Sequence, residues 1–185
     1  GFTIDEYAAV IRGLDDLEGH DGYDINLSCP NTSAGGVEFG VDPDAVAAVI
    51  ADCRRATRRP IFAKLSPALP DIPRIAVAAI DAGADGVTLI NTMPGMIFED
   101  AEPRLGNGFG GVSGPALLAT GILAVTRVAA RLPGVPIIGV GGIRTAEDVR
   151  QYLRAGAALV AIGTAALADP RVPERIIGEL ERSGG

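Results

Sequence analysis

At 185 residues, 48% of them hydrophobic, the chain is long enough for one domain with a sizeable core. Its net charge of −7 removes any general electrostatic pull toward nucleic acid or anionic membranes, and no stretch approaches the roughly 20 apolar residues of a spanning helix. Two cysteines make no disulfide framework and Gly1–Asp5 shows no signal peptide, so a cytoplasmic setting is expected.

In chain order, Thr3–Glu18 reads as helix-like and is followed by a run of short apolar segments. Tyr23–Ser28, Pro60–Leu65, Gly86–Asn91, Pro136–Val140 and Ala158–Gly163 are β-rich and each ends in polar or Gly-rich sequence, as buried strands do. Helical patterns lie between them. Asp42–Ala56 opens with Asp-Pro, an N-cap with Pro at the first helical position. Asp71–Ala82 stops at Gly83, and Thr145–Ala155 stops at Gly156. Thr145 with Asp148 falls just short of a capping-box signature, which takes Glu or Gln at that place. Pro115–Leu132 and Pro173–Glu181 complete the helices, whereas Met93–Gly114 reads as loop, glycine-rich toward its end.

Strand–helix alternation means parallel strands joined by right-handed crossovers. No Gly-x-Gly-x-x-Gly follows the first strand, which argues against a dinucleotide-binding open sheet. Glycine pairs follow the last two strands instead, where barrels hold phosphate. The expected fold is therefore α/β, the C-terminal portion (about strands 4–8) of a (β/α)8 TIM barrel. Residues 1–185 then form one partial domain whose N-terminal strands lie outside this chain.

The chemistry-bearing residues gather at strand ends. Cys29 follows the first strand within Asn26-Leu27-Ser28-Cys29-Pro30-Asn31, where barrels put catalytic groups and where Asn amides suit a planar, amide-rich ligand. Cys53, inside a helix without polar company, reads as core. Lys64 interrupts an apolar strand, either pointing into the barrel mouth toward an anionic or electron-rich ligand or snorkelling to the rim. Asn91-Thr92 ends the next strand. Ser113-Gly114-Pro115, Gly141-Gly142 and Gly163-Thr164 offer backbone N–H groups to a phosphate, with Arg144 close by. One histidine, His20, stands before the first strand, so no metal constellation and no Cys-His nucleophile pair is expected. Glu99, Asp100 and Glu102 read as a solvated charge cluster.

Taken together, Asn26–Asn31 (NLSCPN), Gly35-Gly36 with Phe39-Gly40 and Asp42-Pro43, Ala63–Pro67 (AKLSP), Gly83–Gly86 (GADG), Asn91-Thr92, Gly110–Ala116 (GGVSGPA), Gly141–Ile143 and Gly163–Ala165 resemble family 1 dihydroorotate dehydrogenases. The spelling is closer to the 1B branch, whose catalytic chain works with an iron–sulfur flavoprotein subunit. That resemblance implies FMN-dependent oxidation of (S)-dihydroorotate to orotate in pyrimidine biosynthesis. It implies Cys29 as the base for the C5 proton and Lys64 as the catalytic lysine beside the flavin. It implies Asn26, Asn31, Asn91 and Thr92 as pyrimidine contacts. Asn26, Lys64, Ile90, Gly114, Gly141, Gly142, Gly163 and Thr164 become the FMN-binding set, with no metal in the chain itself. NAD, FAD and an iron–sulfur cluster would enter only through the partner subunit, and a homodimer of catalytic chains or a heterotetramer is implied. Ala68 departs from the family, which usually has Asn there. A dihydropyrimidine dehydrogenase flavin domain, a non-catalytic phosphate-binding barrel fragment and a flavin-free phosphosugar barrel enzyme are the competing readings.

Overall fold

The computed structural model describes residues 4–28 and 39–183. Helix α1 (Ile4–Leu14) precedes strand β1 (Tyr23–Asn26), and a single 3-10 turn at Phe39–Val41 leads into α2 (Pro43–Ala56). Asp42 caps α2 as its sequence suggests, its carboxylate accepting from Asp44 N at 3.0 Å. Then come β2 (Ile61–Leu65), α3 (Ile72–Asp81) and β3 (Gly86–Leu89). Asp71 caps α3 by accepting from Arg74 N at 3.1 Å.

The stretch after β3 departs from expectation. Met93–Gly114 is not all loop: β4 (Met93–Gly95) pairs antiparallel with β7 (Gly110–Val112), and β5 (Phe98–Glu99) pairs with β6 (Glu102–Pro103). Two- and three-residue strands bury no face, so they leave no alternating pattern to read. Glu99, Asp100 and Glu102 are exposed, as expected. Helix α4 (Leu118–Arg131) is preceded by a 3-10 turn at Pro115–Leu117, so the expected helix from Pro115 starts tighter and later.

The remaining elements are β8 (Ile137–Val140), α5 (Ala146–Ala155), β9 (Leu159–Ala161), the short α6 (Thr164–Ala168) and α7 (Val172–Ser183). No sequence signal had pointed to α6. The start of α5 corrects the reading of Thr145: the capping box is complete, with Thr145 Oγ1 accepting from Asp148 N and Asp148 accepting from Thr145 N. The shorter Asp carboxylate reaches back as well as the usual Glu would, and Arg144 N shares the same oxygen at 2.9 Å. Gly156 ends α5 at φ 110°.

Five strands form one parallel sheet in the order β1-β2-β3-β8-β9, and the two hairpin ladders stand apart from it. Each strand lies beside its predecessor with no reversal of direction around the sheet, the arrangement of a barrel segment rather than of a doubly wound sheet. The register runs Ile25 beside Ala63, Ala63 beside Val87, and Val87 beside Ile137. That row is buried, and with Ile61, Leu65 and Leu89 it forms the face covered by helices. The period of two puts Asn26, Lys64, Thr88 and Ile138 together on the other face. There Leu159 is 61% exposed.

Candidate functional site

At the C-terminal ends of β2, β3, β8 and β9 the chain encloses a cavity of about 580 Å³. Lys64, Ile90, Asn91 and Thr92 line one side, and Gly114, Gly141, Gly142, Gly163 and Thr164 line the other. All nine were marked from the sequence, and they come from five segments of the chain brought side by side by the fold. Asn26 lies next to this group through a hydrogen bond from Asn91. Cys29 and Asn31 lie outside the described residues.

The polar groups are held by one another. Asn91 Nδ2 donates to Asn26 Oδ1 at 3.2 Å, and Ser28 N donates to the same oxygen at 3.2 Å. Thr92 N in turn donates to Asn91 Oδ1 at 2.9 Å, so both amides have a defined orientation. The peptide chain behind them is pinned by Asn91 N to Leu65 O at 2.8 Å and Ile90 N to Val140 O at 2.8 Å. Lys64 sits opposite Asn26 in the parallel register, half-buried with its side chain on the cavity face. Lower on that face stands Asp24, whose carboxyl is pushed up by desolvation while the Lys64 charge pulls the other way.

The glycine side is built from close backbone approach. Gly141 and Gly142 have φ of 127° and 76°, and a Cβ on Gly142 would lie 2.6 Å from Leu118 N. The space a side chain would need is already taken by backbone, so only glycine brings its N–H there. Thr164 Oγ1 donates to Ser113 Oγ at 2.8 Å, tying the loop after β9 to the one before α4. Ser113 itself lines the cavity.

Several lining residues were not singled out from the sequence. Asp169 and Arg175 line the far end, with Arg175 Nη1 on Asp169 Oδ2 at 2.6 Å. A backbone hydrogen bond from Arg171 and the Arg175 guanidinium hold the Asp169 carboxyl below its usual range. Arg144 lines the same end, as its position after β8 suggested. Tyr152, fully buried behind the glycine turn, had no sequence signal beyond being a tyrosine in a helix. Among the described residues no group of three or more His, Cys, Asp or Glu could hold a metal ion, and no helix is long and apolar enough to cross a membrane. His20 instead makes a 2.9 Å contact with Tyr23 Oη, away from the cavity.

Comparison with known proteins bears on what such a cavity holds. The family profile described as dihydroorotate dehydrogenase matches residues 1–183. The catalytic subunit of dihydroorotate dehydrogenase B (NAD(+)) from Desulforudis audaxviator is 45% identical over 184 residues, covering 98% of this chain and 60% of that protein. A putative dihydroorotate dehydrogenase A (fumarate) from Solibacter usitatus is 43% identical over 190 residues, covering all of this chain and 62% of that protein. A crystal structure of DHODH in complex with ferulenol from Eimeria tenella matches with a TM-score of 0.80 at 25% identity, covering 98% of this chain and 55% of that one. The chain thus spans about 60% of the length of the curated relatives it matches.

Proposed function

The chain belongs to the dihydroorotate dehydrogenase family, and on that premise we propose that it carries the FMN- and substrate-binding ends of strands in an enzyme that oxidises (S)-dihydroorotate to orotate. The observation that carries this reading is the convergence of Lys64, Asn91 and Thr92 with three glycine turns on one cavity. Its volume of about 580 Å³ falls in the roughly 300–1,000 Å³ range of cofactor sites. The residues fit FMN in kind as well. Gly141-Gly142 and Gly163-Thr164 present backbone N–H groups suited to a phosphate, and apolar Ile90, Leu117 and Val140 suit a flat ring. Residues 1–185 form, in this reading, the C-terminal part of one barrel domain. Five parallel strands where a closed barrel takes eight, and relatives of greater length, support it.

The chemistry divides among the chain's own groups. Cys29, as thiolate, takes the proton from C5 of dihydroorotate, which is acidified by the neighbouring carbonyl. FMN, when bound, supplies the acceptor for the hydride that leaves C6. Asn26, Asn31, Asn91 and Thr92 hold the pyrimidine amides. Because Asn26 Oδ1 already accepts from Ser28 and Asn91, its amino group is the end turned to a ligand. The Lys64 ammonium stabilises negative charge that builds up on the flavin side of the reaction.

The electrons leave, in this reading, through a separate iron–sulfur flavoprotein subunit that passes them to NAD, and the enzyme works in the cytoplasm as a dimer or heterotetramer. The "catalytic subunit" wording in several relatives' names supports a partner of that kind.

The test is flavin absorbance of the full-length protein containing these residues, followed on anaerobic addition of dihydroorotate. Bleaching of a bound flavin, lost in Cys29→Ser near neutral pH, is the expected result. A colourless protein would point to a phosphate-binding barrel fragment. A flavin reduced only by dihydrouracil or NADPH would point to dihydropyrimidine chemistry.

A further inference from the structure

Among the described residues Tyr152 on α5 is the largest fully buried side chain, and its hydroxyl donates to the carbonyl oxygen of Gly141 at 2.8 Å. It lies on the helix-covered side of the sheet. A Cβ on Gly139 of β8 or on Gly121 of α4 would overlap Tyr152, so two elements are shaped around this one side chain. Gly141 and Gly142 line the cavity, whereas Tyr152 does not.

A trans peptide sets its C=O and the following N–H in opposite directions. With the Gly141 carbonyl drawn toward Tyr152, the Gly142 N–H is turned the other way, toward the cavity. Among the described residues that N–H meets no protein acceptor. We propose that Tyr152 is a positioning residue that aims the Gly142 N–H at the phosphate of the bound flavin nucleotide. The proposal rests on the FMN reading above and deepens it by assigning the orientation of the cradle to a side chain that never touches the ligand. Burial raises the Tyr152 phenol well above its ordinary range, so the hydroxyl stays a donor at any working pH.

Two variants attack the same hydrogen bond from opposite ends. Tyr152→Phe keeps the ring and removes the hydroxyl; Gly121→Ala adds a methyl where the hydroxyl sits. Affinity for FMN and for riboflavin, which lacks the phosphate, is read by flavin fluorescence on the full-length protein, alongside thermal unfolding. FMN affinity is expected to fall about 3- to 10-fold in Tyr152→Phe while riboflavin affinity stays unchanged. Gly121→Ala is expected to shift the FMN-to-riboflavin ratio in the same direction. Equal weakening of both ligands would mean that Tyr152 only packs the fold, and an unchanged ratio in both variants would also overturn the proposal. Wild-type protein that binds FMN no tighter than riboflavin would remove the phosphate cradle itself, and this inference with it.

Discussion

The side-chain amide of Asn91 donates to Asn26 Oδ1 at 3.2 Å, linking the ends of β3 and β1 across the end of β2 and across 65 residues of sequence. The bond matters because Asn26 cannot hold its amide by itself. Its oxygen is fixed by two donors, Asn91 and Ser28 N, and that arrangement turns the amino group to the substrate carbonyl of the proposed reaction.

In the proposed reading, Asn91→Leu removes one substrate contact and loosens another. The KM for dihydroorotate is expected to rise about 10- to 100-fold with bound flavin unchanged. Steady-state kinetics on the flavin-saturated enzyme checks this, and an unaltered KM would show that the Asn26–Asn91 pair plays no part in binding.

The two cysteines should behave in opposite ways. Cys53 is fully buried, and desolvation pushes its thiol up to about 11, so it carries almost no thiolate at neutral pH. Mass spectrometry after brief iodoacetamide treatment of the native enzyme should find Cys29 modified and Cys53 intact. In the proposed mechanism, with Cys29 as the thiolate base, kcat/KM should climb toward about pH 8.5, where an ordinary thiol titrates. A flat profile from pH 6 to 9 would argue against a thiol base.

Gly142→Ala tests the close approach of backbone. The residue has φ of 76°, and the added methyl would meet Leu118 N at 2.6 Å. The expectation is loss of FMN affinity by about 100-fold or more, with riboflavin affected far less, because strain and displacement fall together on the turn proposed to hold the phosphate. Fluorescence titration with both ligands reads the difference.

Asp15 offers a pH test of the fold away from the cavity. Hydrogen bonds from the Thr57 and Tyr23 hydroxyls and the Arg59 guanidinium hold its carboxyl below the usual range. A depressed folded value means that the ionised form stabilises the fold. That contribution is complete above the unfolded value of about 3.9 and is lost as pH falls toward the folded one. Asp15→Asn should thus melt below wild type at pH 5 to 7, and the gap should narrow as pH falls below about 4. A gap undiminished at pH 3 would show that the charge is not what matters.

Local signals made much of this molecule legible. The five central strands are short, β-rich and bounded by polar or glycine residues, and Asp42-Pro43 caps its helix as written. Each of these depends only on neighbours within a few residues. The β4–β7 ladder was not legible, because its strands are three residues long and the partners stand far apart in a Gly- and Pro-containing stretch. The lining residues found from the sequence were those at strand ends, where parallel alternation itself decides that they share a mouth. Asp169 and Arg175 escaped because nothing near them in sequence says that the start of α7 turns back over the cavity.

By itself the sequence determined the strand–helix alternation, the family and the residue types at the strand ends, since these follow from short-range pattern and from spelled motifs. Only the tertiary structure decided that Asn91 would orient Asn26 beside Lys64, and that Tyr152 would fill the space left by Gly121 and Gly139 and grip the Gly141 carbonyl. Such pairs join distant elements whose packing depends on the whole sheet and its covering helices. A tyrosine in a helix and a glycine in a strand carry no mark of each other until the core closes.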